Sequence, residues 1–191
     1  MKSIILSCTP PECERIVNGD ISILVRKKVP HISNLPFKVY VYCTRAKSKW
    51  RYYDYEGAYQ NSKGEIVYAQ QQVIGEFICD RVDEWECKNR LEILESFPQW
   101  RASYMFFIDD LEKTCLTYDD LWDYGEGKTL YGWHISDLKI YDRPRALSEF
   151  RACNGSCNHC KHRVVNPNDV GDVRCENKIT RPPKNYIYVE E

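Results

Sequence analysis

A helix followed by a strand is encoded in residues 9–28, TPPECERIVNGDISILVRKK. Thr9 precedes two prolines and stands three residues before Glu12, the spacing of a capping box with proline in the first helical turn. Because Gly19 is a typical helix end, the pattern predicts a helix over residues 10–18. The apolar, β-branched run 21–25 then predicts a strand of the core.

Short apolar runs elsewhere in the chain predict further strands. Residues 37–43 alternate with period two, residues 66–85 have strand character, and the last candidates are 131–135, 138–141 and 186–189. A second capped helix is predicted from Thr117 to near Gly125. Many short strands, few helices and no βαβ alternation favour an α+β fold built on a small mixed β-barrel.

The composition is typical of a soluble globular protein. The chain has 191 residues, of which 43% are hydrophobic and 29% charged, a length that fits one domain over residues 1–191. Lys and Arg number 27 against 28 for Asp and Glu, so a site for a polyanion has to be a local patch. We expect a cytoplasmic protein without membrane contact, because no apolar run reaches the roughly 18 residues of a membrane span and the N-terminal run is too short for a signal peptide.

Four of the ten cysteines cluster near the C-terminus, at Cys153, Cys157, Cys160 and Cys175. A polar loop that carries four thiols can be held by tetrahedral zinc, and a complete thiolate shell makes such a zinc structural rather than catalytic. His159 or His162 could replace one thiolate, and the alternative is four incidental reduced thiols. The other six are predicted to be small core residues: Cys8, Cys13, Cys43, Cys79, Cys87 and Cys115.

A basic turn, Arg26-Lys27-Lys28, follows the first predicted strand directly. Cations return over residues 45–51, where they alternate with Trp50 and the first residues of a tyrosine-rich segment, 50–59. Cations beside aromatic rings are typical of sites for single-stranded nucleic acid or nucleotides. The alternative is a solvated charged loop with the rings packed beneath it.

Several blocks of the chain, in order, resemble proteins with an ASCH domain, especially those of bacteriophages and prophages. The blocks are residues 1–7, 16–28, 39–44, 73–77, 132–142 and 180–183. Between them, segments 45–65 and 86–116 and the cysteine loop 153–175 are interpreted as insertions. The resemblance implies a PUA-like β-barrel with a cleft beside the first helix, a fold associated with recognition of RNA and modified nucleosides; if the gene is a phage gene, the protein acts in the host cytoplasm.

The sequence departs from the family's motif, G-x-K-x-x-E-x-R, at two positions. Gly19 and Arg26 are kept, whereas Ile21 stands at the lysine and Leu24 at the acidic position. Small bacterial members that hydrolyse acetylated cytidine use that lysine with a threonine at the position of Leu24. Because isoleucine and leucine can neither transfer a proton nor stabilise an oxyanion, the resemblance leans against an enzyme, unless Glu76 or His134 supplies the missing group.

Three further residues are candidates for ligand contact. Trp133 could form a wall of the cleft or simply pack in the core, and His134 could stack on a base or be a hydrogen-bonded core residue. Arg181, beside two prolines, suits recognition of a phosphate or simple entry into an edge strand. The chain contains no phosphate-binding glycine loop, no G-x-S-x-G and no H-E-x-x-H.

The leading hypothesis is therefore a non-enzymatic module that binds RNA or a nucleotide. The predicted ligand-binding residues are Gly19, Arg26, Lys27, Lys28, Trp133, His134 and Arg181. This hypothesis predicts binding that weakens with salt and an Arg26→Ala variant that loses binding without unfolding. The alternative is a phage counter-defence protein that sequesters a nucleotide signal or binds a host protein through residues 50–59; hydrolysis of an acylated nucleoside ranks third.

Overall fold

The computed structural model describes residues 3–30, 35–45, 58–89, 104–106, 110–152 and 178–190, with the backbone alone at 87–89, 104–106 and 190. Within these described residues, two α-helices and thirteen strands make a sheet-dominated α+β fold. The helices are α1 (Pro10–Val17) and α2 (Tyr118–Gly125). The strands are β1 (Ser3–Cys8), β2 (Ile23–Arg26), β3 (Phe37–Cys43), β4 (Ala58–Gln60), β5 (Ile66–Tyr68), β6 (Gln72–Cys79), β7 (Val82–Trp85), β8 (Cys87–Asn89), β9 (Tyr104–Phe106), β10 (Leu130–His134), β11 (Ser136–Ala146), β12 (Arg151–Ala152) and β13 (Tyr186–Glu190).

The main sheet has six strands in the order β11-β6-β3-β1-β13-β12. Its pairs are antiparallel except for β1 and β3, which run parallel with Cys8 opposite Cys43. A second, antiparallel sheet has the order β2-β10-β7, and β4-β5 and β8-β9 form two-stranded ladders. Among the described residues the main sheet is open, so the closed barrel expected from the sequence is not found.

Both helices begin where their capping residues predict. The Thr9 hydroxyl accepts a hydrogen bond from the Glu12 amide, and the Glu12 carboxylate accepts one from the Thr9 amide at 2.8 Å. Thr117 and Asp120 make the same reciprocal cap on α2. Gly19 follows α1 with a φ of +77°, a left-handed conformation that glycine adopts without strain, and this explains the motif glycine.

Two apolar clusters hold the helices against the sheets. α1 packs through Ile16 on one face of the main sheet, in the same cluster as Leu24 and Trp133 of the second sheet. α2 packs through Leu121 against the opposite face of the second sheet, beside Leu130. Of the six scattered cysteines, four are buried as predicted, at positions 8, 13, 43 and 79. Cys115 is partly exposed, and the side chain of Cys87 is not among those that the structure describes.

In the described part of the chain, no helix is long and apolar enough to cross a membrane.

Candidate functional site

A cleft of about 310 Å³ lies beside the N-terminal end of α1. β2 contributes residues 23–26 to its lining, α1 contributes Glu12 and Arg15, α2 contributes Asp120 and Tyr124, and Ser7 of β1 and Asn185, the residue before β13, also line it. The lining residues are Ser7, Thr9, Glu12, Arg15, Ile21, Ile23, Leu24, Val25, Arg26, Thr114, Leu116, Asp120, Tyr124 and Asn185. A cleft beside the first helix is what the ASCH resemblance implies.

An ion pair between Glu12 and Arg26 joins α1 to β2 on the cleft wall. The Arg26 Nη1 donates to Glu12 Oε1 at 2.8 Å and to the Val25 carbonyl at 2.7 Å, while Nη2 donates to the Cys8 sulfur at 3.3 Å. The side chain of Arg26 is 11% exposed and that of Glu12 31% exposed. Arg26 therefore mainly holds α1 to β2 through Glu12. We now expect Arg26→Ala to lower the stability of the fold, whereas the sequence predicted a variant that loses binding without unfolding.

Each charge of this pair shifts the pKa of the other. Burial alone would raise the pKa of Glu12, but the positive charge of Arg26 and the hydrogen bonds from Thr9 hold it below its ordinary value. Burial alone would lower the pKa of Arg26, but the Glu12 carboxylate raises it above its ordinary value. Both groups are therefore charged at neutral pH.

α2 contributes Asp120 and Tyr124 to the cleft lining. Tyr124 is 39% exposed and carries the ammonium of Lys27 4.9 Å from its ring centroid; the same ammonium lies 3.5 Å from Glu126. Hydrogen bonds from the Thr117 hydroxyl and amide lower the pKa of Asp120, with a smaller contribution from the charge of Arg15. α1 and the turn before α2 are tied by Arg15 Nη1, which donates to the Cys115 carbonyl at 3.0 Å.

Four exposed cations are carried by two segments that adjoin lining residues in sequence: Lys27 and Lys28 follow Arg26, and Arg181 and Lys184 precede Asn185. The Tyr186 hydroxyl joins the segments by donating to the Val29 carbonyl at 3.2 Å. Ser7, a lining residue, fixes the second segment by donating from its hydroxyl to the Pro183 carbonyl and from its amide to the Asn185 carbonyl, both at 2.8 Å. We call these four residues the basic mouth.

The two positions at which the sequence departs from the ASCH motif both line the cleft. Ile21 is 5% exposed and Leu24 1% exposed, so the floor is apolar where the motif has a lysine and an acidic residue. Of the two motif residues that are kept, Arg26 lines the cleft, and Gly19 ends α1 outside the lining.

Trp133 and His134 do not line this cleft. Trp133 is completely buried, with its ring 5.6 Å from that of Phe37, so it packs in the core and the interpretation as a cleft wall is wrong. His134 is held by Asp83, with Nε2 2.7 Å from Oδ2, as expected for a hydrogen-bonded core residue. Glu76, the other candidate to replace the motif's polar groups, accepts a hydrogen bond from the Tyr141 hydroxyl and also lies outside the lining.

Several predicted features lie outside the described residues. The proposed zinc ligands at positions 153, 157, 160 and 175 are among them, as are residues 46–57, which carry most of the tyrosine-rich segment. At the described end of this segment, Tyr59 is 8% exposed and its hydroxyl donates to the Tyr141 carbonyl, so Tyr59 itself is a buried residue. No cluster of three or more metal-ligating side chains occurs in the part of the chain that the structure describes.

Sequence reasoning missed the cleft residues that α1, α2 and the residue before β13 supply. Glu12 and Asp120 had a signal, because each is the third residue of its helix and the last residue of a capping box, but that signal indicates a helix start and not the direction of the carboxylate. Tyr124 and Asn185 had none, since each reaches the cleft through contacts distant in sequence.

Solved ASCH structures resemble this chain. One is ASCH from Zymomonas mobilis, with 16% identity over 76% of this chain and 74% of that one, at a TM-score of 0.46. Two single-residue mutants of the same Zymomonas mobilis protein align at 14% and 16% identity over 77% and 76% of this chain and 77% and 75% of theirs, each with a TM-score of 0.45. No family model and no curated protein matches the chain, and the specific likeness to phage members stays a prediction.

Proposed function

We propose that this protein binds RNA or a nucleotide in the cleft beside α1. The observation that supports the proposal is the basic mouth, because its four exposed cations, of which Lys27 is shared with Glu126 at 3.5 Å, adjoin lining residues of a cleft that also presents the ring of Tyr124. The overall charge of −1 gives the whole molecule no attraction to polyanions, so a local concentration of cations is meaningful.

The size of the cleft limits what enters it. Small-molecule sites have volumes of about 300–1,000 Å³, and this cleft, at about 310 Å³, is at the lower end. A site of this size takes one nucleotide unit rather than a folded helix of RNA. Binding of RNA would therefore use a single-stranded segment, with one unit inside the cleft and its neighbours along the surface.

The test is fluorescence anisotropy with a labelled single-stranded RNA of mixed sequence at several salt concentrations. For single strands, the logarithm of the binding constant falls with the logarithm of salt by about 0.7 per phosphate contact. The double variant Lys27→Ala/Lys28→Ala should lower affinity and flatten this slope by about 1.4 if each lysine neutralises one phosphate. A matched control is Lys63→Ala/Lys139→Ala, which removes two exposed lysines that do not line the cleft. Equal salt slopes for the two double variants would refute the proposal.

We propose in addition that Cys153, Cys157, Cys160 and Cys175 bind one structural zinc. The support is the sequence: four thiols within 23 residues of a polar loop that has few apolar side chains of its own to pack.

A further inference from the structure

We propose that Cys8 and Cys13, at the start of α1, are a site of reversible oxidation, at which a small peroxide joins the two sulfurs in a disulfide. This proposal is independent of the proposed function, because it concerns two thiols of the core and not the binding of a ligand in the cleft. Both side chains are buried, at 0% and 3% exposure, and both are free thiols in the structure.

The capping box of α1 brings the two sulfurs together. Thr9 is the N-cap, so Cys8 is the residue before the cap and Cys13 is the fourth residue of the helix. Apolar side chains at these two positions often pack on each other, an arrangement known as the hydrophobic staple. Here the staple consists of thiols, because the side chains of Cys8 and Cys13 share a hydrogen bond. Cys43, opposite Cys8 on β3, is a third thiol in contact with Cys13.

The surroundings make the two sulfurs chemically different. Arg26 Nη2 donates to the Cys8 sulfur at 3.3 Å, and a cation beside a sulfur stabilises the thiolate, which is the form that attacks peroxides. Hydrogen bonds with Cys43 and Cys8, together with burial, raise the pKa of Cys13 well above its ordinary value, so Cys13 keeps its proton. Cys8 is therefore the sulfur that reacts first, and Cys13 is the one that completes the disulfide.

A small oxidant has only a short distance to cover. Ser7 and Thr9, on either side of Cys8, line the cleft, and so does Arg26, which contacts the Cys8 sulfur. A rotation of the Arg26 side chain would therefore open Cys8 to the cleft. Cys13 lines a separate crevice of about 10 Å³, close to the volume that one water molecule needs. Hydrogen peroxide fits such spaces better than a bulky disulfide reagent does.

The reaction takes place in two balanced steps. The Cys8 thiolate attacks one oxygen of hydrogen peroxide, the O–O bond breaks, and a sulfenic acid forms on Cys8, while the departing hydroxide takes up the proton that Cys8 has lost. The Cys13 sulfur then attacks the Cys8 sulfur, and the S–S bond forms as the S–O bond breaks. The proton of Cys13 leaves with the hydroxide as water. The two sulfurs together lose two electrons, and the peroxide is reduced to water.

Peptide mass spectrometry of the full chain tests the proposal. The protein is treated with hydrogen peroxide, and the remaining thiols are blocked with N-ethylmaleimide in urea before digestion with trypsin. Cleavage after lysine and arginine places Cys8 and Cys13 together in peptide 3–15, Cys43 in peptide 39–45 and Cys79 in peptide 64–81. Peptide 3–15 should carry no maleimide and be lighter than its reduced form by two hydrogen atoms, and dithiothreitol should reverse this loss. A pair that stays reduced, or a link between Cys13 and Cys43, would overturn the proposal.

Cys79 is the matched control, because it is also 0% exposed but its sulfur donates to the Arg81 carbonyl at 3.3 Å. Peptide 64–81 should stay fully blocked by maleimide, and equal oxidation of this peptide and peptide 3–15 would count against a specific site. In Cys13→Ser no second sulfur completes the disulfide, so dimedone, which reacts with sulfenic acids, should label Cys8. Thermal unfolding checks that this variant is folded, and the peptide map of the unchanged protein does not depend on it.

Discussion

The ion pair between Glu12 and Arg26 should contribute measurably to stability, and Arg26→Met is the perturbation that shows it. Methionine keeps much of the apolar stem of arginine but removes the donors to Glu12, to the Val25 carbonyl and to the Cys8 sulfur. Breaking a buried pair by deleting one partner costs about 3–5 kcal/mol, because a charge is left without compensation. Glu12 is 31% exposed, so water recovers part of that loss, and we expect about 2–4 kcal/mol.

Urea unfolding, followed by tryptophan fluorescence, measures this loss as a change in the free energy of unfolding. In a protein of 191 residues, the same loss lowers the thermal midpoint by about 4–16 °C. The double variant Arg26→Met/Glu12→Gln should be less destabilised than the sum of its single variants, since the second change removes the uncompensated carboxylate. Lys139→Met is the control, because it deletes an exposed cation and should cost less than about 0.5 kcal/mol. The reasoning fails if Arg26→Met resembles this control.

The pH dependence of stability gives an independent check on the same pair. The pKa of Glu12 is lowered in the folded protein, so the ionised carboxylate stabilises the fold above its unfolded value of about 4.3. That contribution is lost as the pH falls from there through the lowered folded pKa. In Arg26→Met the main influence that lowers this pKa is gone, and the decline in the free energy of unfolding below about pH 4.3 should be shallower than in the unchanged protein. Parallel declines would contradict the assignment.

Three other predictions concern the core and the cysteines. In Gly75→Ala, the new Cβ would lie 2.5 Å from the backbone oxygen of Lys139, so we expect a loss of about 1–3 kcal/mol in urea unfolding; a neutral change would show that β6 and β11 separate easily. Burial raises the pKa of Cys79 to about 12, so iodoacetamide at pH 8 should leave Cys79 unmodified in the folded protein and alkylate it in urea, as read by peptide mass spectrometry. Native mass spectrometry should find one zinc that disappears on denaturation and is missing when serine replaces the four cysteines of the loop; a bare polypeptide mass in the unchanged protein would count against zinc.

The elements that local chemistry specifies were predictable from the sequence. The strand predicted over 37–43 is β3, although both of its faces are covered and every residue except Lys38 is buried. α1 and α2 begin at their capping residues because reciprocal hydrogen bonds between side chain and backbone are formed within four residues. These signals need no knowledge of the rest of the chain.

The arrangement of the sheets was less predictable, because it depends on pairing between distant residues. β1 pairs with β13, with Ser3 opposite Val189, and neither strand carries a local mark of its partner. Trp133 and Leu24 are directly opposite on β10 and β2, and this pairing buries the indole between the two sheets. From the sequence, a tryptophan beside a glycine and a histidine suits a cleft and a core equally well. The position of β10 in the fold decides between the cleft and the core.

The chemistry of the cleft favours binding over proton transfer. A general base works best when its pKa is close to the working pH. Arg26 lowers the pKa of Glu12 and so moves it away from that range. The hydrogen bonds from Thr117 at the cap of α2 likewise lower the pKa of Asp120. Ile21 and Leu24 occupy the positions where the ASCH motif carries a lysine and an acidic residue, and they give the floor no group that exchanges protons. The hydrogen bonds that start α1 and α2 therefore also hold two weakly basic carboxylates, Glu12 and Asp120, in the cleft lining, and this supports the proposed role in binding more than a role in proton transfer.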